Sequence, residues 1–196
     1  MPRKKSVKEA ARHFREQADA ITAFLATPGR NQSKEHASWL HEYGVIRLYR
    51  EFERLILGAL VGAINNDTST LSRSVGIQFP AHLTDEVCEF IVIGDGFFDF
   101  KGRDGLIQKL RKYIPENHCL VSAMKSPKYK TPLEQLSALR NLAAHDSTVA
   151  RSRAKDAVGQ KRMGSAGSWL KAKGRLASLA RQLKELATEI ENAAPY

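Results

Sequence analysis

Cysteine is nearly missing from this chain: Cys88 and Cys119 are the two among 196 residues, and neither belongs to a CxxC pair. So few thiols, so far apart, argue against a disulfide framework and exclude a structural zinc site, and they read as two reduced, partly buried side chains. No stretch approaches the ~20 consecutive apolar residues that a membrane-spanning helix needs. The opening Met1-Pro2-Arg3-Lys4-Lys5 leads into a charged segment instead of an apolar signal core, so the expectation is an unexported, cytoplasmic protein with no membrane partner. Nucleotide and calcium signatures are lacking as well. Gly94 and Gly96 have no third glycine at dinucleotide-binding spacing, and Asp95, Asp99 and Asp104 do not match a calcium loop, so neither a cofactor nor a metal is expected. Acidic residues are in deficit, 21 against 31 lysines and arginines, for a formal charge of +10. A basic surface serves solubility, and it also raises local phosphate concentration and speeds encounter with nucleic acid.

What the chain does contain is helical periodicity. With 42% apolar residues it can bury a real core. Apolar residues at three- and four-residue spacing predict a helix over about 7–25, stopped by Thr27-Pro28-Gly29, and a central core helix over about 33–65. The central stripe is Val45, Leu48, Tyr49, Phe52, Leu55, Ile56, Ala59, Leu60 and Ala63, and along its rim run Arg47, Arg50, Glu51 and Arg54. Those arginines suit a solvated, internally paired face or the flank of a phosphate cleft. Residues 65–80 read as a connection, 84–92 as a short helix and 103–113 as another, with Phe97, Phe98 and Phe100 anchoring the turn between them. Thr131-Pro132-Leu133-Glu134 has the pattern of a capping box that starts a helix running through the 140s. After a polar stretch ending at Ser168, a last helix of about 25 residues presents Trp169, Leu176, Leu179, Leu183, Leu186 and Ile190. Without βα alternation the fold class is all-α, with an N-terminal helix and basic arm over 1–30 and a helical domain over 31–196.

One short segment carries chemistry: Leu139-Arg140-Asn141-Leu142-Ala143-Ala144-His145-Asp146. Arginine offers a permanently charged planar fork for phosphate oxygens, and histidine exchanges a proton near neutral pH. Asn141 and His145, four apart, share a helix face, and the long Arg140 side chain can reach the same cleft. The same pair also fits a histidine that meets free helix-end carbonyls and an arginine paired with an acid. From Arg151 onward ten basic residues face four acidic ones, so a basic segment, with Arg151 and Arg153 at its head, follows the motif directly.

On these residues the sequence resembles the HEPN superfamily, especially the prokaryotic RiboL-PSP-HEPN and MAE-type groups, whose signature is an arginine, often followed by Asn, then a histidine after four to six positions. Arg140, Asn141 and His145 match it, and the stretches Arg47 to Arg54 and Gly96 to Gly102 are similar to segments of those groups. The likeness extends over about 35–190. His145 is followed by Asp146-Ser147, without the tyrosine two positions on that marks HEPN toxins paired with nucleotidyltransferases. The resemblance implies a four- to five-helix bundle with a long C-terminal helix, a homodimer that places two motifs around one phosphate, and a metal-independent endoribonuclease leaving 2′,3′-cyclic phosphate ends, in toxin-antitoxin or anti-phage defence with an antitoxin or defence-system partner. It implies catalytic roles for Arg140, Asn141 and His145, and RNA contacts are expected from Arg47, Arg50, Arg54, Arg151 and Arg153. The alternative is a non-catalytic HEPN module that binds RNA or a protein. DNA binding by the C-terminal helix is weaker, because no helix-turn-helix or zinc finger is evident.

Overall fold

The computed structural model describes residues 5–27 and 33–195. Among them are ten α-helices and no strand: α1 (Val7–Ala26), α2 (Lys34–Asn66), α3 (Ser69–Val75), α4 (Asp85–Ile93), α5 (Gly102–Arg111), α6 (Cys119–Lys125), α7 (Lys130–His145), α8 (Thr148–Val158), α9 (Ala166–Leu170) and α10 (Arg175–Ala193). The fold is thus an all-α bundle with a long C-terminal helix, and no described helix is long and apolar enough to cross a membrane.

Helix α2 is the axis. Ser33 caps it by accepting from the His36 N–H at 3.1 Å, and its 33 residues run past α1, α4, α7 and α9. The apolar stripe read from the sequence is buried along its whole length, from Val45 to Ala63. Phe14 of α1 meets Phe52 edge to face at 6.0 Å, and Phe52 and Tyr49 both pack on Phe100. Each such side chain removed from water contributes roughly 1.5–3 kcal/mol.

Glu51 lies in the middle of this axis with its carboxylate fully buried. An unpaired charge there would be prohibitive. Arg47 and Arg54, one turn to either side, reach it at 2.8 and 2.9 Å, and His13 of α1 stands 3.9 Å away.

The C-terminal part folds differently from the single helix its periodicity suggests. Lys173 (φ 53°) and Gly174 (φ 63°) are left-handed, so α10 begins at Arg175 and Trp169 belongs to the separate α9. The physical cause is the seating of α9 on α2. The Gly167 N–H donates to Glu42 at 3.1 Å, and Lys171 Nζ donates to the Lys34 carbonyl at 2.6 Å and Ser38 Oγ at 2.7 Å. A Cβ on Gly167 would fall 1.9 Å from the Ser38 carbonyl oxygen.

Other details also depart from the periodic reading. α3, α6 and α8 form where the sequence shows no apolar period, because α3 and α6 have 7 residues each and α8 buries just Ala150 and Ala154. Thr131 does not cap: a 3-10 turn at Pro127–Tyr129, anchored by the buried Tyr129 ring, starts α7 at Lys130, with Thr131 and Pro132 inside its first turn. Of the three phenylalanines expected to anchor the 94–101 segment, Phe98 and Phe100 are buried while Phe97 is 94% exposed. Pro28 and Gly29, read as the stop of α1, lie outside the described residues, as do the first four residues of the basic arm.

Glu51→Ala is expected to destabilise the fold by about 1.5–3 kcal/mol, because it removes the charge-assisted hydrogen bonds of two arginines whose heads still reach water. Urea unfolding near neutral pH measures this, and a loss below about 1 kcal/mol would show that the clamp contributes little.

Candidate functional site

The leucines of α7 decide where the motif points. Leu133, Leu136, Leu139 and Leu142 are buried, which leaves Arg140 and Asn141 half-buried at the edge of the inner face. The Arg140 guanidinium lies over the Tyr49 ring of α2, 4.7 Å from its centroid, and its Nη1 donates to Asn141 Oδ1 at 2.9 Å. Stacking of this kind is worth about 0.5–2 kcal/mol and holds the fork in one orientation.

Helix α7 ends at His145 because Asp146 turns left-handed (φ 37°) while its N–H returns to the Leu142 carbonyl. Ser147 then caps α8 by accepting from the Ala150 N–H at 3.1 Å. Arg151 fastens this corner: it pairs with the Asp146 carboxylate and donates to the carbonyls of Gly164 at 2.7 Å and Met163 at 3.3 Å. The His145 side chain is exposed at the corner and makes no hydrogen bond among the described residues.

The arginines expected to contact RNA do not form one group. At about 100° per residue, Tyr49 and Glu53 share one side of α2, whereas Arg47, Glu51 and Arg54 fall on the opposite side, where Arg47 and Arg54 hold the buried carboxylate. These two arginines therefore clamp the core away from Arg140. Arg50 and Arg153 are exposed and without an ion pair among the described residues, and Arg151 braces the α7–α8 corner.

What the structure assembles around Arg140 is instead a mixed-charge cluster that the sequence did not single out. Glu53, half-buried one turn beyond Tyr49, lies within electrostatic reach of Arg140 of α7, Asp99 of the 94–101 segment, Arg50 of its own helix and Lys109 of α5. Burial pushes its carboxyl up to about 7 and Asp99 adds to this, against the pull of Arg140, Arg50 and Lys109. The Tyr49 phenol is held well above its ordinary value by burial and by Glu53. Burial lowers the Lys109 ammonium, which donates to the Asp99 carbonyl at 2.9 Å and sits 4.4 Å over the Phe98 ring. Only the i, i+4 spacing of Tyr49 and Glu53 hinted at this, since Asp99, Lys109 and Arg140 come from distant elements.

Two shallow depressions lie elsewhere, one of about 380 Å³ lined by Glu86, Glu89, Phe90, Ile93 and Gly94, the other of about 590 Å³ between the ends of α3 and α5. Neither is lined by Arg140 or His145. Among the described residues no group of three or more His, Cys, Asp and Glu is placed to hold a metal ion. Compared with family models, curated proteins and solved structures, the chain gives no significant match.

A carboxyl held near 7 in the fold and near its ordinary 4.5 in the unfolded chain binds its proton more tightly when folded. Its contribution to stability is full below 4.5 and is lost as pH rises through 7. Glu53→Gln should therefore gain in melting temperature relative to wild type as pH goes from 4.5 to 8, with the difference levelling off above 8. A pH-independent difference between the two proteins would show that Glu53 titrates normally.

Proposed function

We propose that this chain is a HEPN-type, metal-independent endoribonuclease that cuts single-stranded RNA to 2′,3′-cyclic phosphate ends. The observation that carries the reading is the placement of Arg140, a guanidinium held half-buried on the Tyr49 ring on the same helix that ends in the exposed His145. A fork held this way is preorganised for the non-bridging oxygens of a phosphodiester, and an exposed imidazole can transfer a proton to or from a reacting oxygen. The formal charge of +10 favours a polyanionic partner, with Arg50 and Arg153 as exposed cations beyond the motif.

A twofold homodimer would bring two motifs to one cleft, and the biological setting that fits is toxin-antitoxin or anti-phage defence, with an antitoxin or defence-system partner. The second reading, a non-catalytic module binding RNA or a protein, is favoured by one feature: Arg140 already spends its contacts on Tyr49 and Asn141.

Purified protein is expected to cut single-stranded RNA in the presence of EDTA. Arg140→Ala and His145→Ala should each lower the rate by about 100-fold or more, and a 2′-deoxy substitution at the cleavage site should block it. Arg140→Lys should rescue only in part, because it restores charge without the fork. Equal background rates for wild type and both alanine variants, in a protein shown to be dimeric by light scattering, would favour the non-catalytic module. For binding, Arg153→Glu should flatten the fall of RNA affinity with salt, whereas Arg47→Ala should leave that slope unchanged.

A further inference from the structure

Helix α2 carries two carboxylates two residues apart with opposite circumstances. Glu51 is fully buried and clamped by Arg47 and Arg54. Glu53 is half-buried and, among the described residues, makes no hydrogen bond and no ion pair within 4 Å, although Arg140 of α7, Arg50 of α2, Lys109 of α5 and Asp99 of the 94–101 segment lie within electrostatic reach of it. A structural carboxylate in such a place would be expected to close onto one of those cations. Glu53 instead closes on none of them, one helical turn from the Tyr49 ring on which Arg140 rests.

We propose that Glu53 is the general base of the site, taking the proton of the attacking 2′-hydroxyl, with Arg140 on the phosphate and His145 as the acid on the leaving oxygen. This rests on the ribonuclease reading above and completes its acid–base set within one copy of the chain. As the bond from the 2′-oxygen to phosphorus forms, the hydroxyl proton passes to the Glu53 carboxylate. As the bond from phosphorus to the 5′-oxygen breaks, the His145 imidazolium donates its proton to that oxygen. The products are a 2′,3′-cyclic phosphate and a free 5′-hydroxyl, and the two side chains return to their starting states by exchanging a proton with water.

His145 lies five residues beyond Arg140, about 7.5 Å further along α7 and about 140° around it, while Glu53 stands one turn along α2 from the Tyr49 ring that carries the Arg140 guanidinium. Burial supports the role by holding the Glu53 carboxyl near neutrality, where a base is strong enough to accept a proton yet still ionised in a useful fraction.

The test is single-turnover cleavage of a short single-stranded RNA by the full chain, from pH 5 to 9, with wild type, Glu53→Gln, Glu53→Asp and His145→Ala, alongside binding of the matching 2′-deoxy strand. Glu53→Gln is expected to lower the rate about 100-fold or more and to abolish the acidic limb of the pH profile, with binding of the 2′-deoxy strand unweakened. Glu53→Asp should keep part of the rate and shift that limb to lower pH. A Gln variant that cuts like wild type with the same profile overturns the role of Glu53 and leaves the ribonuclease reading standing. So does an equal loss in the Gln and Asp variants with the acidic limb intact, which marks a structural part. Wild type that leaves RNA intact under all these conditions overturns both.

Discussion

Burial of α2 on most of its circumference is the constraint from which the rest follows. From Gly44 to Asn66 few positions of this helix, which packs against α1, α4, α7 and α9, let a charge reach water, so an ionisable side chain there must either be matched or lie at an edge. Glu51 takes the first course, and Arg47 and Arg54 go with it. Glu53 takes the second, at the edge where α2 meets α7 and the segment ending at Phe100, within electrostatic reach of Lys109 of α5. Two carboxylates separated by about 200° of helix rotation thereby acquire different chemistry from the same helix.

The neighbourhood of Glu53 shows how partial burial creates reactivity. Full exposure would leave the carboxylate ordinary, and a close ion pair would keep it ionised and occupied. Here desolvation raises its proton affinity, Asp99 adds to that, and Arg140, Arg50 and Lys109 restrain it without closing on it. Tyr49 links the two sides of the site, since its ring is packed on Phe100 and also supports the Arg140 guanidinium.

The corner after α7 is held just as tightly. Asp146 adopts a left-handed conformation that asparagine and aspartate tolerate better than most residues, its carboxylate meets Arg151, and Arg151 also holds the backbone at Met163 and Gly164. His145 is therefore displayed on a braced turn, and α8 leaves it in a defined direction. The seating of Gly167 against the Ser38 carbonyl returns the chain to α2 before α10 begins, so the basic C-terminal region is wrapped onto the bundle in two pieces.

The sequence by itself determined the all-α class, the central helix with its buried stripe and most helix boundaries before the last third of the chain, because apolar period and caps such as Ser33 and Thr84 are local properties. It also placed Arg140, Asn141 and His145 on one helix. Helices of one or two turns and those that bury only alanine, such as α8, left no periodic signal, and the break at Lys173-Gly174 could not be read because its cause is contact with α2. Only the tertiary structure decided which charges are free. Arg47, Arg50 and Arg54 look alike along the chain, yet two of them are consumed by Glu51, while Glu53 is drawn toward Arg140, Asp99 and Lys109, residues 46 to 87 positions away in sequence. Whether a side chain is paired, half-buried or open to a ligand depends on what packs against it, and that is a property of the assembled bundle.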